Sequence, residues 1–393
     1  MKVGIITFHF PYNCGAVLQC FALQTVLESM DYEASVINYR PWYHQNRYTP
    51  LKNPVYWGGR CFANPGKTIV HRLYHGADGF LRTVHSWRNY PEASKKENKF
   101  RPFVKKYLNE TRVYRTLKGL QKKPPVCGAY IAGSDQLWNT AITDGGFDGA
   151  YFLKFGSKDT LRMTYSVGVD FSKVASPEKK LTGYLEGLDV ISMREEKWAP
   201  VVEEASSGKL PVHIDLDPTL LLKAEDYTEH LTQGLPVESE PYILTYTMGG
   251  ETQKQIYNAA KMLSEKLKMR VIDVSGDPGF MNRKVKDNRL CGPDEFVQYI
   301  KNASYVVTNS FHGTVFSILF QKKFVTIPHA VTGNRVTELL DKLGLSERYF
   351  KLTQDAVDAV TNEIAYDGVM EKLEELRGES RKFLQESLRH AKQ

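Results

Sequence analysis

Short apolar runs alternate with longer amphipathic segments in the first half of the chain. Val3–Phe8 is β-rich, Ala16–Met30 carries apolar residues at helical spacing, and Ala34–Asn38 is β-rich again. Similar short runs recur further on, at Ala129–Ala132, Leu161–Val167, Val190–Ser192 and Pro211–Asp217. Strands that alternate with helices in this way predict a parallel sheet with helices on its faces.

The alternation begins again after a polar stretch, Ala224–Pro241, in which we place the boundary between two domains. The strands and helices predicted beyond it are Tyr242–Thr247, Glu251–Lys266, Val271–Val274, Asp294–Ala303, Tyr305–Thr308, Gly313–Phe320 and Phe324–Ile327. The sequence therefore predicts two α/β domains, 1–225 and 240–368, that face each other across a cleft. Residues 369–393 have helical spacing, and we expect this helix to pack back on the N-terminal domain.

Length and composition agree with a folded protein of two domains. The 393 residues exceed one ordinary domain, and the hydrophobic share of 42% and charged share of 25% are globular values. No apolar run approaches the ~20 residues of a membrane-spanning helix, and the N-terminal run is too short for a signal peptide. The five cysteines are never spaced as CxxC, which disfavours disulfides and structural zinc and fits a reducing cytoplasm.

A basic and aromatic segment, an insertion at about 40–125, lies inside the first domain. From Arg40 to Pro125 there are 19 Lys and Arg but only four Asp and Glu, so this segment has a net charge of +15, whereas the net charge of the whole chain is +7. The segment also contains 14 aromatic residues. A helix is predicted within it at Ala93–Tyr107. Such a segment can bind single-stranded nucleic acid, an anionic membrane surface or an anionic substrate. A solvated insertion whose rings pack on the main body explains it equally well.

The first of three polar turns between predicted elements is Asn13-Cys14-Gly15-Ala16. Gly15 permits close approach to the backbone, and the amides at the start of the following helix can bind an anion or a hydroxyl-rich ligand. The turn lacks the GxGxxG pattern of dinucleotide-binding domains. Taken alone, a plain tight turn explains it equally well.

The second turn carries Ser134, Asp135, Gln136 and Trp138 at the end of a predicted strand. Asp and Gln bind hydroxyl groups, the carboxylate of Asp135 can accept a proton, and the ring of Trp138 offers a face to a sugar. The alternative is an Asp that caps a helix while Trp138 lies in the core. We favour the functional interpretation, because packing alone gives little reason for so many polar residues.

The third turn, Thr308–Thr314, contains His312 and directly precedes an apolar helix. Free N–H groups at a helix N-terminus attract a phosphate, and His312 adds a titratable imidazole at the same place. A single histidine is more often structural, but the polar residues around this one favour a functional role.

Arg194 follows a short predicted strand. Its guanidinium could bind a carboxylate or a phosphate with two hydrogen bonds. The alternative is a surface ion pair with Glu195. We expect no metal ion in this protein.

The polar turns, taken in their order along the chain, resemble the polysaccharide pyruvyl transferase family. The segments that carry the resemblance are Asn13–Gln19, Gly133–Asn139, Ser192–Glu195, Asp217–Thr219, Gly292–Phe296 and Thr308–Gly313. They run over most of the chain, and the basic segment lies largely outside them. The resemblance implies two Rossmann-like domains facing each other across a cleft, similar to the GT-B glycosyltransferase fold.

The resemblance also implies a reaction, the transfer of pyruvate from phosphoenolpyruvate to two hydroxyls of a sugar to give a cyclic ketal, with no other cofactor. The histidine of the family falls on His312, for which we expect the role of general acid, and we expect Asp135 to orient or deprotonate the sugar hydroxyl. One branch of the family has an arginine two residues before that histidine, where this chain has Ser310. Arg194, Arg335 or a residue of the basic segment would then supply the missing positive charge.

The resemblance assigns the polar turns to two ligands. The donor is expected to contact Arg194, Asn309, Ser310, Phe311, His312, Gly313 and Thr314. The acceptor sugar is expected to contact Asn13, Gly15, Ser134, Asp135, Gln136 and Trp138. We expect the acceptor to be a polysaccharide or lipid-linked oligosaccharide precursor, with the basic segment holding a cytoplasmic enzyme at the inner face of an anionic membrane. No nucleic acid partner is expected.

Two alternatives stay open at this point. The same fold could carry a glycosyltransferase with a nucleotide-sugar donor, whose diphosphate would lie at the helix start near His312. A non-catalytic binder of carbohydrate or nucleic acid on the same fold is the other. Ser310 favours the binder, and the joint presence of Asp135, Arg194 and His312 opposes it.

Overall fold

The computed structural model describes residues 1–44, 84, 90–249, 251–275, 287–327, 334–351 and 353–389. The strands are β1 (Lys2–Ile6), β2 (Glu33–Val36), β3 (Ala129–Ala132), β4 (Trp138–Asn139), β5 (Leu161–Thr164), β6 (Val169–Asp170), β7 (Ile191–Met193), β8 (Val212–Ile214), β9 (Tyr242–Tyr246), β10 (Arg270–Asp273), β11 (Asp287–Asn288), β12 (Tyr305–Thr308) and β13 (Lys323–Thr326). The helices are α1 (Cys14–Ser29), α2 (Tyr90–Tyr107), α3 (Leu117–Lys122), α4 (Pro177–Leu185), α5 (Ala199–Ala205), α6 (Ala224–Leu231), α7 (Gln253–Leu267), α8 (Pro293–Asn302), α9 (Phe311–Leu319), α10 (Asn334–Leu343), α11 (Thr353–Ala359) and α12 (Tyr366–Arg389). Single 3₁₀ turns lie at Gly149–Phe152, Glu196–Trp198, Pro218–Leu220 and Ser346–Arg348.

The first sheet has the strand order β2-β1-β3-β5, and each pair in it is parallel. Helix α1 follows β1 and begins where Asn13 Oδ1 accepts a hydrogen bond from the N–H of Ala16 (3.1 Å). Most of α1 is buried, because it packs both on this sheet and on the turn Pro218–Leu220 and helix α8. Two smaller parallel pairs, β4 with β6 and β7 with β8, lie further along the chain.

The second sheet has the order β11-β10-β9-β12-β13 and is also parallel. Helix α9 connects β12 to β13 and begins at Phe311, two residues before the predicted start. The earlier start has a local cause, because Ser310 Oγ accepts a hydrogen bond from the N–H of Gly313 (3.3 Å) and so caps the helix. The two parallel α/β units confirm the predicted fold class, which is Rossmann-like in each half, as in the GT-B arrangement.

One hydrophobic core extends from the first α/β unit into the second. The rings of Phe21, Tyr227 and Phe316 contact one another in series, with centroid distances of 6.3 and 4.9 Å. Helix α12 adds a polar connection, since Arg377 Nε donates a hydrogen bond to the carbonyl oxygen of Leu220 (2.7 Å). The residues that line the space between the two sheets are therefore held by packing from both sides.

The polar stretch Ala224–Pro241 is not purely a connecting segment, because helix α6 occupies its first part. Only Tyr227 and Leu231 of α6 are buried, and a two-turn helix with so few apolar residues gives a weak periodic signal in the sequence.

The basic segment is described in part. Helix α2 begins at Tyr90, earlier than the predicted Ala93, and turns Phe100 and Phe103 inward while Lys105 and Lys106 stay exposed. The remainder of the segment from 45 to 83 and from 85 to 89 lies outside the described residues. No helix in the described ranges combines the length and the apolar character that crossing a membrane requires.

Candidate active site

His312 lies in the first turn of α9, at the end of the second sheet that faces the first unit. Its side chain is only about 10% exposed. The imidazole rests directly on the backbone of Gly15, because a Cβ atom placed on Gly15 would lie 2.0 Å from His312 Nδ1. The first and third polar turns of the sequence therefore meet, and glycine is the residue that this contact requires.

Asp217 lies on the other side of the imidazole, 3.7 Å from Oδ1 to His312 Nε2. This aspartate follows β8 and caps the turn Pro218–Leu220, where Oδ1 accepts hydrogen bonds from the Thr219 N–H (3.0 Å) and hydroxyl (2.6 Å). Its Oδ2 accepts hydrogen bonds from Ser134 Oγ (2.8 Å) and Arg194 Nη1 (2.6 Å). Asp217 thus connects the second turn, through Ser134, with His312 of the third turn and with Arg194, although it is not among the predicted site residues. The motif Asp217–Thr219 was the only sequence signal for it.

The surroundings of Asp217 fix its charge. Burial by itself would raise the pKa of this carboxyl, but the neighbouring His312, Arg194 and Thr219 outweigh this effect and hold the pKa well below its usual range. A negative charge is therefore maintained beside the imidazole.

Arg194 is buried at the end of β7, where its guanidinium lies among acids. Nη1 pairs with Asp217, and Nε lies 3.4 Å from Oε1 of Glu195. Burial alone would lower the pKa of Arg194, but the charges of Glu195 and Asp217 outweigh this effect and raise it. Nη2 has no hydrogen-bond partner among the described residues. The ion pair with Glu195 is thus present, although in the interior rather than on the surface.

The second polar turn does not enter a helix, but leads into the short strand β4. Gly133 has a φ of +144°, and a Cβ atom there would lie 2.0 Å from the carbonyl oxygen of Tyr165. Asp135 follows with a φ of +64° and is half-buried, and its Oδ1 accepts a hydrogen bond from the N–H of Gln136 (2.7 Å). The charge of Asp135 also acts on Arg194 and Arg335, which places this carboxylate in the same cluster.

The expectation that Trp138 offers a face to a sugar is wrong. The indole is fully buried, its Nε1–H donates a hydrogen bond to the carbonyl oxygen of Tyr151 (3.1 Å), and its ring stacks on Phe152 with centroids 4.6 Å apart. Both polar and apolar parts of the side chain are used inside the protein. Trp138 is therefore a core residue, as the alternative interpretation held.

Several other predicted contacts have side chains that are bonded within the protein. Gln136 is buried, and its Nε2 donates a hydrogen bond to Glu195 Oε1 (2.9 Å). Asn309 Oδ1 accepts one from the Met248 N–H (2.8 Å), and Thr314 Oγ1 donates one to the carbonyl oxygen of Ser310 (3.1 Å). These side chains shape the site, whereas Asn13 and Asp135 keep partial exposure to the solvent.

A cavity of about 210 Å³ adjoins the cluster. Its wall contains Arg194, Asp217 and Phe311 and extends along α10 to Arg335 and Lys342. No group of three or more His, Cys, Asp or Glu side chains suited to a metal ion occurs within the described part of the chain.

The chain matches a protein-family model described as polysaccharide pyruvyl transferase over residues 13–330. A comparison with curated proteins gives no match. Similar solved structures include the UDP-GlcNAc 2-epimerase from Neisseria meningitidis bound to UDP-GlcNAc, with 10% identity, coverage of 99% of both chains and a TM-score of 0.49. Another is the S. aureus MnaA-UDP co-structure, with 11% identity, coverage of 98% of this chain and 94% of that chain, and a TM-score of 0.49. A third is Arabidopsis thaliana UGT89C1 complexed with UDP-L-rhamnose, with 12% identity, coverage of 98% of both chains and a TM-score of 0.48.

Proposed function

Because the chain belongs to the polysaccharide pyruvyl transferase family, we propose that it transfers the pyruvyl group of phosphoenolpyruvate to two hydroxyls of a sugar, forming a cyclic ketal. The observation that carries this proposal is the position of His312, at the N-terminus of α9 and 3.7 Å from the carboxylate of Asp217. An imidazole at this place can donate a proton, while the helix start stabilises a phosphorylated anion beside it.

The proposed reaction begins with the addition of a proton to the methylene carbon of phosphoenolpyruvate, and we assign His312 as the donor. The adjacent carbon becomes electron-poor, and one sugar hydroxyl attacks it and loses its proton to a base. Phosphate then leaves with the electron pair of its C–O bond, and the second hydroxyl closes the ring. The methylene group gains one proton and the two hydroxyls lose two, so the remaining proton departs with phosphate.

For the base we propose Asp135, which is half-buried in the turn after β3. The hydrogen bond from the Gln136 N–H holds one oxygen of this carboxylate in place. Asp217 is buried and bonded on both oxygens, so we assign it to positioning His312 rather than to proton transfer.

The test is to incubate the purified protein with phosphoenolpyruvate and candidate galactosides, while phosphate release and the mass of the sugar product are measured. We expect phosphate release that depends on both substrates and a product that carries one pyruvyl ketal. In His312→Gln and His312→Ala variants with the melting temperature of the wild type, we expect the rate to fall by a factor of ~10² or more. Near-native turnover in both variants would falsify the assignment of the acid.

A glycosyltransferase with a nucleotide-sugar donor is the competing candidate, because the start of α9 could also hold a diphosphate. Thermal-shift measurements with phosphoenolpyruvate and with UDP-, GDP- and CDP-sugars distinguish the two. Stabilisation by a nucleotide sugar alone would favour the glycosyltransferase. Stabilisation by a saccharide without any phosphate release would favour a non-catalytic binder.

We also propose that the enzyme works on an acceptor at an anionic membrane surface. The support is helix α2, which exposes Arg101, Lys105 and Lys106 while its rings turn inward. Attraction of such side chains to anionic headgroups weakens with salt. In liposome flotation at two salt concentrations, we expect binding only with anionic lipid and less of it at high salt. Recovery of the protein in the unbound fraction under every condition would contradict this.

A further inference from the structure

Gln19 is a fully buried glutamine on α1, one helical turn after Gly15. Residues four positions apart lie on the same face of a helix, so Gln19 shares a face of α1 with the glycine that supports the His312 imidazole. Gln19 is not among the predicted site residues. A buried amide needs hydrogen-bond partners, and these partners show which parts of the protein it holds in place.

Both polar atoms of the Gln19 side chain are hydrogen-bonded. Oε1 accepts a hydrogen bond from the N–H of Ser134 (3.1 Å), in the second polar turn. Nε2 donates to the carbonyl oxygen of Ala16 (2.8 Å) and to the hydroxyl of Thr7 (3.0 Å). These partners fix the orientation of the amide, because a reversed amide would place its oxygen against the carbonyl oxygen of Ala16.

The backbone of Ser134 is held at both its N–H and its carbonyl oxygen. The Thr7 hydroxyl accepts a hydrogen bond from Gln19 and donates its own hydrogen to the carbonyl oxygen of Ser134 (3.1 Å). Thr7, Gln19 and Ser134 are all fully buried, so water does not compete for these bonds. The position of Ser134 is therefore set by α1 and by the end of β1, and not by its own turn alone.

Ser134 in turn positions Asp217, since Ser134 Oγ donates a hydrogen bond to Asp217 Oδ2 (2.8 Å). Oδ1 of the same carboxylate lies 3.7 Å from Nε2 of His312, and the imidazole rests on Gly15. These contacts form a closed ring that leaves α1 at Gly15 and returns to it at Gln19. Helix α1 therefore supports the imidazole from two sides, directly through Gly15 and indirectly through Gln19.

We propose that Gln19 is a positioning residue for the proton transfers, although it lies outside both proposed ligand sites. This inference rests on the proposed function for the roles of His312 and Asp135. The acid depends on Gln19 through Ser134 and Asp217. The base directly follows Ser134 in the chain, so its backbone is fixed by the same bonds. One buried amide thus sets the positions of the acid and the base relative to each other.

The test compares Gln19→Met with Gln24→Met. Gln24 is a second buried glutamine of α1, and its amide bonds to the N–H of Asn109 (2.9 Å) and the carbonyl oxygen of Tyr107 (3.0 Å). Methionine has a similar length but cannot replace such bonds, so both variants should lose stability. For Gln19→Met we expect kcat to fall about 10- to 100-fold, with the KM for phosphoenolpyruvate within about two-fold of wild type. Gln24→Met should keep the wild-type kcat, and an equal loss of kcat in both variants, or in neither, would overturn the proposal.

Thr7 provides a second pair of variants, which keeps the proposal testable if Gln19→Met does not fold. Thr7→Val keeps the shape of the side chain and removes the hydroxyl that joins Gln19 to Ser134, so its kcat should also fall. Thr7→Ser keeps the hydroxyl and should recover most of the wild-type kcat. An equal loss of kcat in both variants would assign the effect to packing and overturn the role of these hydrogen bonds.

Unfolding by denaturant gives a readout that needs no substrate. Because Gln19 and Asp217 are connected through Ser134, the double variant Gln19→Met with Asp217→Asn should lose less free energy of unfolding than the two single variants lose in sum. The losses of Gln24→Met and Asp217→Asn should simply add. Additive losses for the Gln19 pair would overturn the proposal. Non-additive losses in a protein that does not consume phosphoenolpyruvate would support the connection and overturn the proposed function alone.

Discussion

The imidazole of His312 and the Cα atom of Gly15 touch across the space between the two α/β units. A methyl group on Gly15 would come within 2.0 Å of Nδ1 and within 2.4 Å of Cγ of the imidazole. Since helix α1 is packed on both sides, it has little freedom to withdraw, and the imidazole would have to move. The first unit thereby sets the position of a residue that belongs to the second.

The variant Gly15→Ala should consequently lose activity without losing its fold. A displacement of the proposed acid by about 1 Å is expected to lower kcat by a factor of ~10². The measurement is steady-state turnover with phosphoenolpyruvate, together with thermal unfolding. Gly378→Ala is the matched control, because a Cβ atom at this exposed position of α12 meets nothing within 4 Å. That control should keep full activity and gain about 0.5–1 kcal/mol of stability. Full activity of Gly15→Ala would refute the contact.

Replacing Asp217 by asparagine should destabilise the protein in a pH-dependent manner. The folded-state pKa of Asp217 lies well below that of the unfolded chain, which is about 3.9. Between these two values the unfolded state binds more protons, so stability rises with pH, is complete above about pH 5 and is lost as pH falls. At pH 7 we expect the free energy of unfolding of Asp217→Asn to be about 3 kcal/mol lower than that of wild type, because Arg194 loses a buried partner.

Denaturant unfolding of wild type and Asp217→Asn between pH 3 and pH 7 measures this effect. The difference between their free energies of unfolding should narrow as pH falls below about 4. Asp159→Asn, at an exposed position, is the control and should follow the wild-type curve at each pH. If the difference between the free energies of unfolding of Asp217→Asn and wild type stayed constant from pH 3 to pH 7, this would contradict the charge assigned to Asp217.

Substitutions of Trp138 should affect stability rather than the affinity for the acceptor. Trp138→Ala removes a fully buried ring and is expected to cost about 3–5 kcal/mol. Trp138→Phe keeps the stacking on Phe152 but loses the hydrogen bond to Tyr151, and should cost less. The KM for the acceptor, measured in the folded phenylalanine variant, should equal that of wild type. An increase of this KM with an unchanged melting temperature would instead indicate that Trp138 contacts the acceptor.

Asp135→Asn should separate chemistry from donor binding. If Asp135 is the base, the amide leaves the turn intact but cannot accept a proton, and kcat should fall by a factor of ~10²–10⁴. The calorimetric Kd for phosphoenolpyruvate should change little. Asp159→Asn again serves as the control for loss of one carboxylate. Native kcat in Asp135→Asn would assign the proton to another acceptor.

Much of the fold follows from local patterns in the sequence. The apolar run Tyr305–Thr308 predicts β12 at its observed bounds. Short apolar runs and amphipathic helices are recognised from residues that are close together in the sequence, so the prediction needs no knowledge of tertiary contacts. The location of His312 at a helix start follows in the same way. The earlier start of α9 depends on the hydroxyl of Ser310, a cap that could also be predicted from residue type.

The two environments of Trp138 could not be distinguished from the sequence. A tryptophan just after a strand fits a binding surface and a core equally well. The partners that decide between them, Tyr151 and Phe152, lie in a 3₁₀ turn that has no periodic signal.

Asp217 was missed for a related reason. Its importance depends on Ser134 and Arg194, which lie 83 and 23 residues away in the chain. The pairing of buried charges is a tertiary property, and the sequence shows only that each residue follows a short strand.

Asp217 occupies the segment that leads from one α/β unit to the other, bonded to Ser134 and Arg194 on one side and facing His312 on the other. A hinge rotation at this segment would leave the carboxylate with the first unit and carry the imidazole away. The proposed proton donor would then lie beside its carboxylate only while the two units are in contact, as they are in this structure. If phosphoenolpyruvate is the donor, as proposed, this dependence would limit its hydrolysis, because the complete proton donor would not be present while the site is open to bulk water.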